Sequence, residues 1–542
     1  MPEQVPRKAS MSILPAVALA TIVVLLSASV LFELGRSITE LLTTHKPITQ
    51  STLSLDPSSI ALLLRSIAIA ALIALIGVFG GIPIARVIGV RLTGHRRLLP
   101  AILISPIWLP AALVYAAGNL LRAPDTIVGR VLITFSTSAD DLRWVTIWAG
   151  YAIAIIGLAL WSAPIAGVLI ASGLGYRSNI YDEMIALEPV GIVRRGYLWV
   201  RINLRVLVRS WVLISILMLG SAVPMHLAQL ETWSIVIWRQ LAEQPLSAWG
   251  GVWISSWPML IAATIGAAML TKDLVRRDSA STIEDRGHRP PRLPRTILVA
   301  AIGVWILGAL LPGLAMLLTL NDLGSLVQFW RLESGAVRDS GLLALATGIV
   351  VLTIALLVAN SLGHPSTAIR RLGAWSVLFL CILGLIPGVL VGAAIARSPI
   401  LGLNAGWSSA LLASITRAAF LGAIIGALCA GSETTERRSI RWQLAGGSIR
   451  GWARTLLPSI ALPILASGLI GGLYSMYEIE ASVMVRPPGM ENLPQQLLSD
   501  LHYARLEQLS AAGVNLLGIG LVCSILASLL LTRINAGTRI GN

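Results

Sequence analysis

Long apolar runs dominate this sequence, and each is long enough to cross a lipid bilayer as a helix. A spanning helix needs about 20 mostly apolar residues, because each residue adds about 1.5 Å and the hydrocarbon core is about 30 Å thick. Backbone polar groups in lipid must bond internally, which favours helices, and the alternation typical of strands is absent. The sequence therefore predicts an all-α membrane protein with about 12 transmembrane helices, at approximately 11–32, 60–85, 98–118, 145–171, 207–228, 250–270, 296–320, 340–362, 373–396, 408–430, 458–478 and 509–532.

The charge balance supports a membrane protein and argues against a nucleic-acid partner. Only 12% of the 542 residues are charged, against about 25% in soluble domains. The net charge is +15, but most of the 41 Lys and Arg residues fall in alternate loops, on one side of the predicted membrane. Basic loops mark the cytoplasmic side, so both termini are predicted to be cytoplasmic. The first apolar run, Met11–Phe32, exceeds a signal-peptide core of about 7–15 residues and is predicted to be an uncleaved helix.

The sequence lacks the common signatures of an enzyme. It contains no GxxxxGK[ST] phosphate loop, no HExxH and no GxSxG with suitable partners. The three cysteines, Cys381, Cys429 and Cys523, lie inside apolar runs and form neither a disulfide framework nor a metal-ligand spacing. We therefore expect no catalytic residue, no metal site and no cofactor bound by this chain. If a nucleotide drives the protein, another chain must bind it.

The chain divides at a polar linker into two sets of six predicted helices. The expected units are a first half over 1–270, a cytoplasmic linker over 271–295 with three prolines, and a second half over 296–542. The third helix of each half carries a proline, Pro110 and Pro387. The longest cytoplasmic loop of each half follows the fourth helix. This pattern predicts two pseudo-symmetric halves related by an axis along the membrane normal.

Arg417 lies well inside the tenth predicted helix, where a charge costs about 2.5–3.5 kcal/mol. One interpretation places it on a translocation path, paired with Glu478 or Glu480 near the outer end of the eleventh helix. The alternative is that Arg417 extends to the membrane surface while the two glutamates only cap a helix.

A polar stretch with five arginines, Glu433–Pro463, separates the tenth and eleventh predicted helices. It is either a loop that a cytoplasmic partner grips or a solvated connection whose charges set the topology. Within it, Ala445-Gly446-Gly447-Ser448, Gly451-Trp452 and Ile460-Ala461-Leu462-Pro463 follow in order. This order resembles the cytoplasmic EAA loop of binding-protein-dependent ABC importer permeases, which reads Glu-Ala-Ala, three residues, Gly, nine residues, Ile-x-Leu-Pro.

Further stretches resemble the ferric-iron and thiamine branch of that family, in which two six-helix halves are often fused. They are Glu478–Ser482, Arg486–Gly489, Leu493–Gln496 and Leu501–Ala504. The counterpart in the first half begins at Asp182-Glu183, and it lacks the Ala-Ala pair and the closing proline. In the second half, Leu444 replaces the family's glutamate and Gly451 is one residue out of register.

The resemblance implies a type I ABC importer permease in a bacterial inner membrane. Each loop would form a short coupling helix that docks on a cytoplasmic ABC ATPase dimer, and Pro463 would fix the entry of the following membrane helix. An extracytoplasmic solute-binding protein would deliver the cargo. The implied coupling residues are Glu183, Ala186, Gly191, Ala445, Gly446, Gly447, Gly451 and Pro463.

Ferric iron is the first expectation for the cargo, with thiamine, a polyamine or an oxyanion as alternatives. An ion-driven secondary transporter is the alternative from another class, and it would need a coupling acid in the membrane. Only Glu478 and Glu480 offer one, at a helix end. A membrane-embedded enzyme would need a clustered polar site, which the sequence does not show.

Overall fold

A computed structural model describes most of the membrane-embedded chain. The described residues are 13–43, 57–89, 98–108, 110–111, 113–114, 130, 133–134, 139–174, 191–227, 230–275, 293–398, 406–433, 438, 454, 456–485, 489–490, 492–503 and 505–532. Within these ranges the chain is helical and contains no strand. The all-α class predicted from the apolar runs is confirmed for this part of the chain.

The helices vary from one-turn segments to membrane-length rods. In chain order they are α1 (Leu14–Thr43), α2 (Pro57–Ile88), α3 (Leu99–Ile104), α4 (Ala139–Leu174), α5 (Ile192–Gly220), α6 (Val223–Leu227), α7 (Trp233–Glu243), α8 (Trp249–Ser255), α9 (Trp257–Val275), α10 (Arg295–Trp305), α11 (Leu311–Leu318), α12 (Gly324–Leu332), α13 (Ser334–Leu362), α14 (Thr367–Leu385), α15 (Gly388–Arg397), α16 (Trp407–Ser432), α17 (Leu457–Tyr477), α18 (Glu480–Val485), α19 (Leu493–His502) and α20 (Leu506–Thr532). A π-helical turn, Ile306–Leu310, joins α10 to α11, and 3-10 turns follow α3 and α7.

Eleven helices in the described part are long and apolar enough to span a membrane. They are Leu14–Glu40, Pro57–Ile88, Ile147–Gly173, Arg194–Gly220, Trp257–Val275, Arg295–Leu318, Ser334–Leu362, Thr367–Leu385, Trp407–Ser432, Ile460–Tyr477 and Leu506–Ala527. A multi-pass membrane protein is therefore confirmed, with one spanning helix fewer in these ranges than the twelve predicted.

The predicted third helix of the first half, at 98–118, accounts for the difference, while α14 of the second half is itself one of the eleven. Over 98–118 the described residues form α3, a 3-10 turn and, after Pro110, helical residues at Ala111, Leu113 and Val114, while Pro110 itself lies outside any helix. Over 373–396 the chain forms α14 and α15 with a break at Ile386 and Pro387. Proline lacks an N–H and clashes with the preceding turn, so it interrupts a helix where the lost bond is replaced by other groups. The expectation of two continuous helices was wrong at both prolines.

Small residues set the closest helix contacts. In α16, a Cβ added to Gly426 would lie 2.9 Å from the Val358 Cβ of α13. A Cβ on Gly468 of α17 would lie 3.0 Å from the carbonyl oxygen of Gly348 in α13. In the same way, Gly81 of α2 packs against Ala166 of α4. Helices in lipid associate through such close backbone approach, because lipid supplies no hydrophobic drive between them.

The packing pairs recur at corresponding places along the chain. Helices α2, α4 and α5 pack on one another, and so do α13, α16 and α17. Helix α1 packs on α13, while α10 packs on α2. Helix α9 packs on α14, while α20 packs on α3 and the 3-10 turn that follows it. The first and last long helices of each set thus contact the opposite set.

Short helices surround the C-terminal ends of α5, α14 and α17. Helix α15 packs on α1, α16 and α18, and all its residues except Ala396 are buried. Helices α18 and α19 follow α17, as α6 and α7 follow α5. The buried charged side chains of the next section lie among these short helices.

Candidate functional site

The break between α14 and α15 is the centre of the candidate site. Ile386 and Pro387 have extended backbones, with ψ of 137° and 133°. Helix α14 therefore ends with carbonyl groups that have no partner inside the helix, and α15 begins with N–H groups in the same position. Because this break is buried, other side chains must satisfy those groups.

Arg417 of α16 satisfies the carbonyl side of the break. Its Nη1 donates a hydrogen bond to the Gly384 carbonyl at 2.7 Å and another to the Ile386 carbonyl. The guanidinium thus lies at the negative end of the α14 dipole, where a cation is stabilised. The side chain is 9% exposed. Extension to the membrane surface, the alternative interpretation of Arg417, is therefore wrong.

Glu478 supplies the opposite charge and also caps a helix. Its Oε1 lies 3.7 Å from Arg417 Nε. The same carboxylate accepts the N–H of Ala481 at 2.9 Å and of Ser482 at 3.1 Å, in the first turn of α18. The structure thus brings together the pairing and the capping that the sequence presented as alternatives.

Glu480 connects three segments through one carboxylate. Oε1 accepts the Ala222 N–H at 2.7 Å, from the connection between α5 and α6. Oε2 accepts the Gly388 N–H at 3.3 Å, at the start of α15. Burial raises the pKa of the Glu480 carboxyl, while Arg417 and the Ala222 N–H act in the opposite direction.

Two glycines of α15 allow α18 to approach this site. A Cβ on Gly388 would lie 2.7 Å from Glu478 Oε1, and a Cβ on Gly392 would lie 2.6 Å from the Ala481 carbonyl oxygen. Real side chains do not tolerate such distances, so both positions require glycine while α15 and α18 keep this spacing. The pair, four residues apart, forms the face of α15 that contacts α18.

A second buried ionic cluster holds the other end of α15. Arg397 donates from Nη1 to Glu33 of α1 and from Nη2 to Glu40 Oε1, the latter at 3.1 Å. Arg36 adds an ion pair with Glu40 at 2.9 Å. Gly250 of α8 lies against Glu40 and Arg397, so a side chain at that position would meet the cluster.

Sequence reasoning missed this cluster. The predicted helices 11–32 and 373–396 end before Arg36 and Arg397, whereas α1 continues to Thr43. One signal was available: Glu33, Arg36 and Glu40 are spaced three and four residues apart, which places them on one face of a continuing helix. Their partner is more than 350 residues away in the chain, so no local pattern identifies it.

Six of the predicted coupling residues lie outside the described residues: Glu183, Ala186, Ala445, Gly446, Gly447 and Gly451. Gly191 is described and precedes the first residue of α5 with an extended backbone. Pro463 lies inside α17 rather than at its start. Pro458 occupies the first turn, where a missing N–H costs nothing. The role expected of Pro463 at the entry of this helix stays a prediction.

The described part of the chain contains no group of three His, Cys, Asp or Glu side chains that could hold a metal ion. Comparison of the chain with protein families, curated proteins and solved structures finds no match. The assignment of a function therefore depends on the residues and the geometry described above.

Proposed function

We propose that this chain is the fused permease subunit of a binding-protein-dependent, ATP-driven ABC importer. The observation that carries the proposal is the order of small residues, glycine and Ile-Ala-Leu-Pro in the stretch Ala445–Pro463. This stretch follows α16 and runs into α17, and the first-half counterpart around Glu183 lies between α4 and α5. Both stretches thus follow the fourth predicted helix of their set, as two matched docking loops would.

The packing pattern supports two pseudo-symmetric six-helix halves. Each set has a bundle of three helices, α2 with α4 and α5, and α13 with α16 and α17. Each first helix contacts the second helix of the opposite set, and each last helix contacts the opposite third helix. Such reciprocal contacts are expected from a two-fold axis along the membrane normal, with a path between the halves.

In the proposed mechanism the chain makes no covalent change to its cargo. A cytoplasmic ATPase dimer grips the loops at the small residues Ala445, Gly446 and Gly447, and ATP-driven closure of that dimer rocks the halves. A solute-binding protein delivers cargo to the outer face of a bacterial inner membrane. Both chain termini are cytoplasmic, in agreement with the distribution of basic residues.

The proposed cargo is ferric iron, because the stretches after α17 resemble the ferric-iron and thiamine branch. Thiamine, a polyamine and an oxyanion are the other cargo outcomes of the test. An ion-driven transporter is less well supported, since the oxygens of Glu478 and Glu480 already accept backbone N–H groups. A coupling carboxylate must exchange its partners during transport.

The test is purification from native membranes, followed by uptake in proteoliposomes. We expect an ATPase to copurify, and we expect uptake to require ATP and a binding protein. Gly451→Leu should insert normally and lose ATP-dependent uptake. The matched control is Gly341→Leu, because nothing lies within 4 Å of a Cβ at Gly341 of α13. Flux through vesicles that contain this chain alone, driven by a sodium or proton gradient, would refute the proposal.

A further inference from the structure

Helices α5 and α17 end in the same way. Their last residues are followed by Ser221 and Glu478, with φ, ψ of −82°, 109° and −76°, 108°. A short helix then begins two residues later, at Val223 in one case and at Glu480 in the other. Val223 and Glu480 are therefore corresponding residues of the two sets of helices.

These corresponding segments contact each other. Val223 and Ile479 form a buried apolar cluster, against which Leu227, Trp238 and Val483 pack. Beside this cluster, the Ala222 N–H donates to Glu480 across the two sets. In the proposed permease, a path between the halves is closed at this point, on the side that the basic loops predict to be the outer one.

The two sets of helices contribute different chemical groups to this contact. Glu480 carries the carboxylate, while the corresponding Val223 is apolar and buried. On its own side the carboxylate is held by the Gly388 N–H at the start of α15. Arg417 and Glu478 hold the adjoining helix ends. The bond to the Ala222 N–H reaches the first set of helices from this carboxylate, and the neighbouring Val223 N–H also acts on it.

We propose that Glu480 is a latch residue that holds the outer ends of the two halves together, and that opening of the path breaks its bond to Ala222 while its bond to Gly388 persists. This inference rests on the proposed permease function, because it requires a path between the halves. It assigns Glu480 a positioning role rather than contact with cargo. A bond to a charged acceptor is stronger than one between neutral groups, so a single carboxylate contributes measurably to the closed state.

The test measures access to the apolar cluster from outside. In membranes that contain the intact transporter, Cys381, Cys429 and Cys523 are replaced by alanine and Ile479→Cys is added as a reporter. We expect Glu480→Ala to speed the reaction of that cysteine with a membrane-impermeant maleimide about tenfold or more, because the charged hydrogen bond to Ala222 across the two sets is lost, together with the bond to Gly388. Ala222→Pro, which removes this N–H donor and adds a ring at a buried position, should change the rate in the same direction.

The matched control is Glu507→Gln at the start of α20, which should leave the labelling rate unchanged. If both latch variants label at the rate of the parent protein, the latch is refuted, even where ATP-dependent uptake is normal. If labelling responds as expected but no ATPase copurifies and uptake needs no ATP, the permease proposal fails instead. Retention of the parent's unfolding temperature excludes general unfolding as the cause of faster labelling.

Discussion

Replacement of Arg397 by methionine tests how the end of α15 is held. The Arg397 side chain is 2% exposed and its partner Glu33 is fully buried. Without the guanidinium, the Glu33 carboxylate retains one described contact, the Ser37 hydroxyl at 3.3 Å. The variant therefore leaves a buried carboxylate with one weak neutral donor.

The expected cost of Arg397→Met is about 3–5 kcal/mol, the usual penalty for removing one member of a buried ion pair. Glu33→Met should cost less, because Arg397 keeps Glu40 at 3.1 Å. The double variant Glu33→Met/Arg397→Met should recover most of the loss, since apolar replacement of both members of a buried pair is often neutral. Arg36→Met is the control and should cost about 1 kcal/mol or less, because that pair is 44% and 36% exposed.

The measurement is the free energy of unfolding in lipid–detergent micelles, titrated with a denaturing detergent. A double-mutant cycle then isolates the coupling between Glu33 and Arg397. A loss below about 1 kcal/mol for Arg397→Met would refute the argument, since a well-solvated pair behaves in that way. Additive losses in the double variant would refute it as well, because the two side chains would then act independently.

Two further predictions concern the start and the middle of α15. Arg417→Ala should reduce uptake more than expression. It should also speed amide exchange at Ile386, Gly388 and Val389, because the α14 carbonyls lose their donor. Unchanged uptake would leave Arg417 a packing residue. Gly392→Leu should destabilise the protein by at least about 1–3 kcal/mol in the same unfolding assay, since the new Cβ would lie 2.6 Å from the Ala481 carbonyl oxygen. Gly303→Leu, at a position with nothing within 4 Å, should cost little, and equal losses in the two glycine variants would contradict the packing argument.

The number and approximate position of the long helices could be predicted from the sequence, because bilayer thickness converts directly into a length of apolar chain. The end of α1 could not be predicted in this way. Glu33 and Glu40 lie beyond the apolar run, and hydropathy alone places such residues in a loop. In the structure their helix continues, and Arg397 pairs with the buried Glu33 and with the partly exposed Glu40. A tertiary ion pair of this kind has no local signature.

The helix break at Pro387 shows a second limit. Pro83, Pro164 and Pro463 lie inside continuous helices of the same protein. Proline alone therefore does not decide where a membrane helix stops. At Pro387 an arginine from another helix binds the freed carbonyls and a glutamate accepts the freed N–H. The break is stable because both sets of backbone groups have partners, which only the assembled structure reveals.

The ionic groups around Arg417 and around Arg397 have the same structural role, because each holds one end of α15. Arg417 and Glu480 bind the backbone at the start of α15, and Glu33 and Glu40 bind the side chain of Arg397 at its end. A ten-residue helix is thus held at both ends by charged groups that α1, α16 and the segment after α17 contribute. Because these groups bind protein partners, we expect them to affect transport through the position of α15. In the proposed permease, Arg417 would therefore act by holding α15 in position, and its guanidinium need not contact cargo.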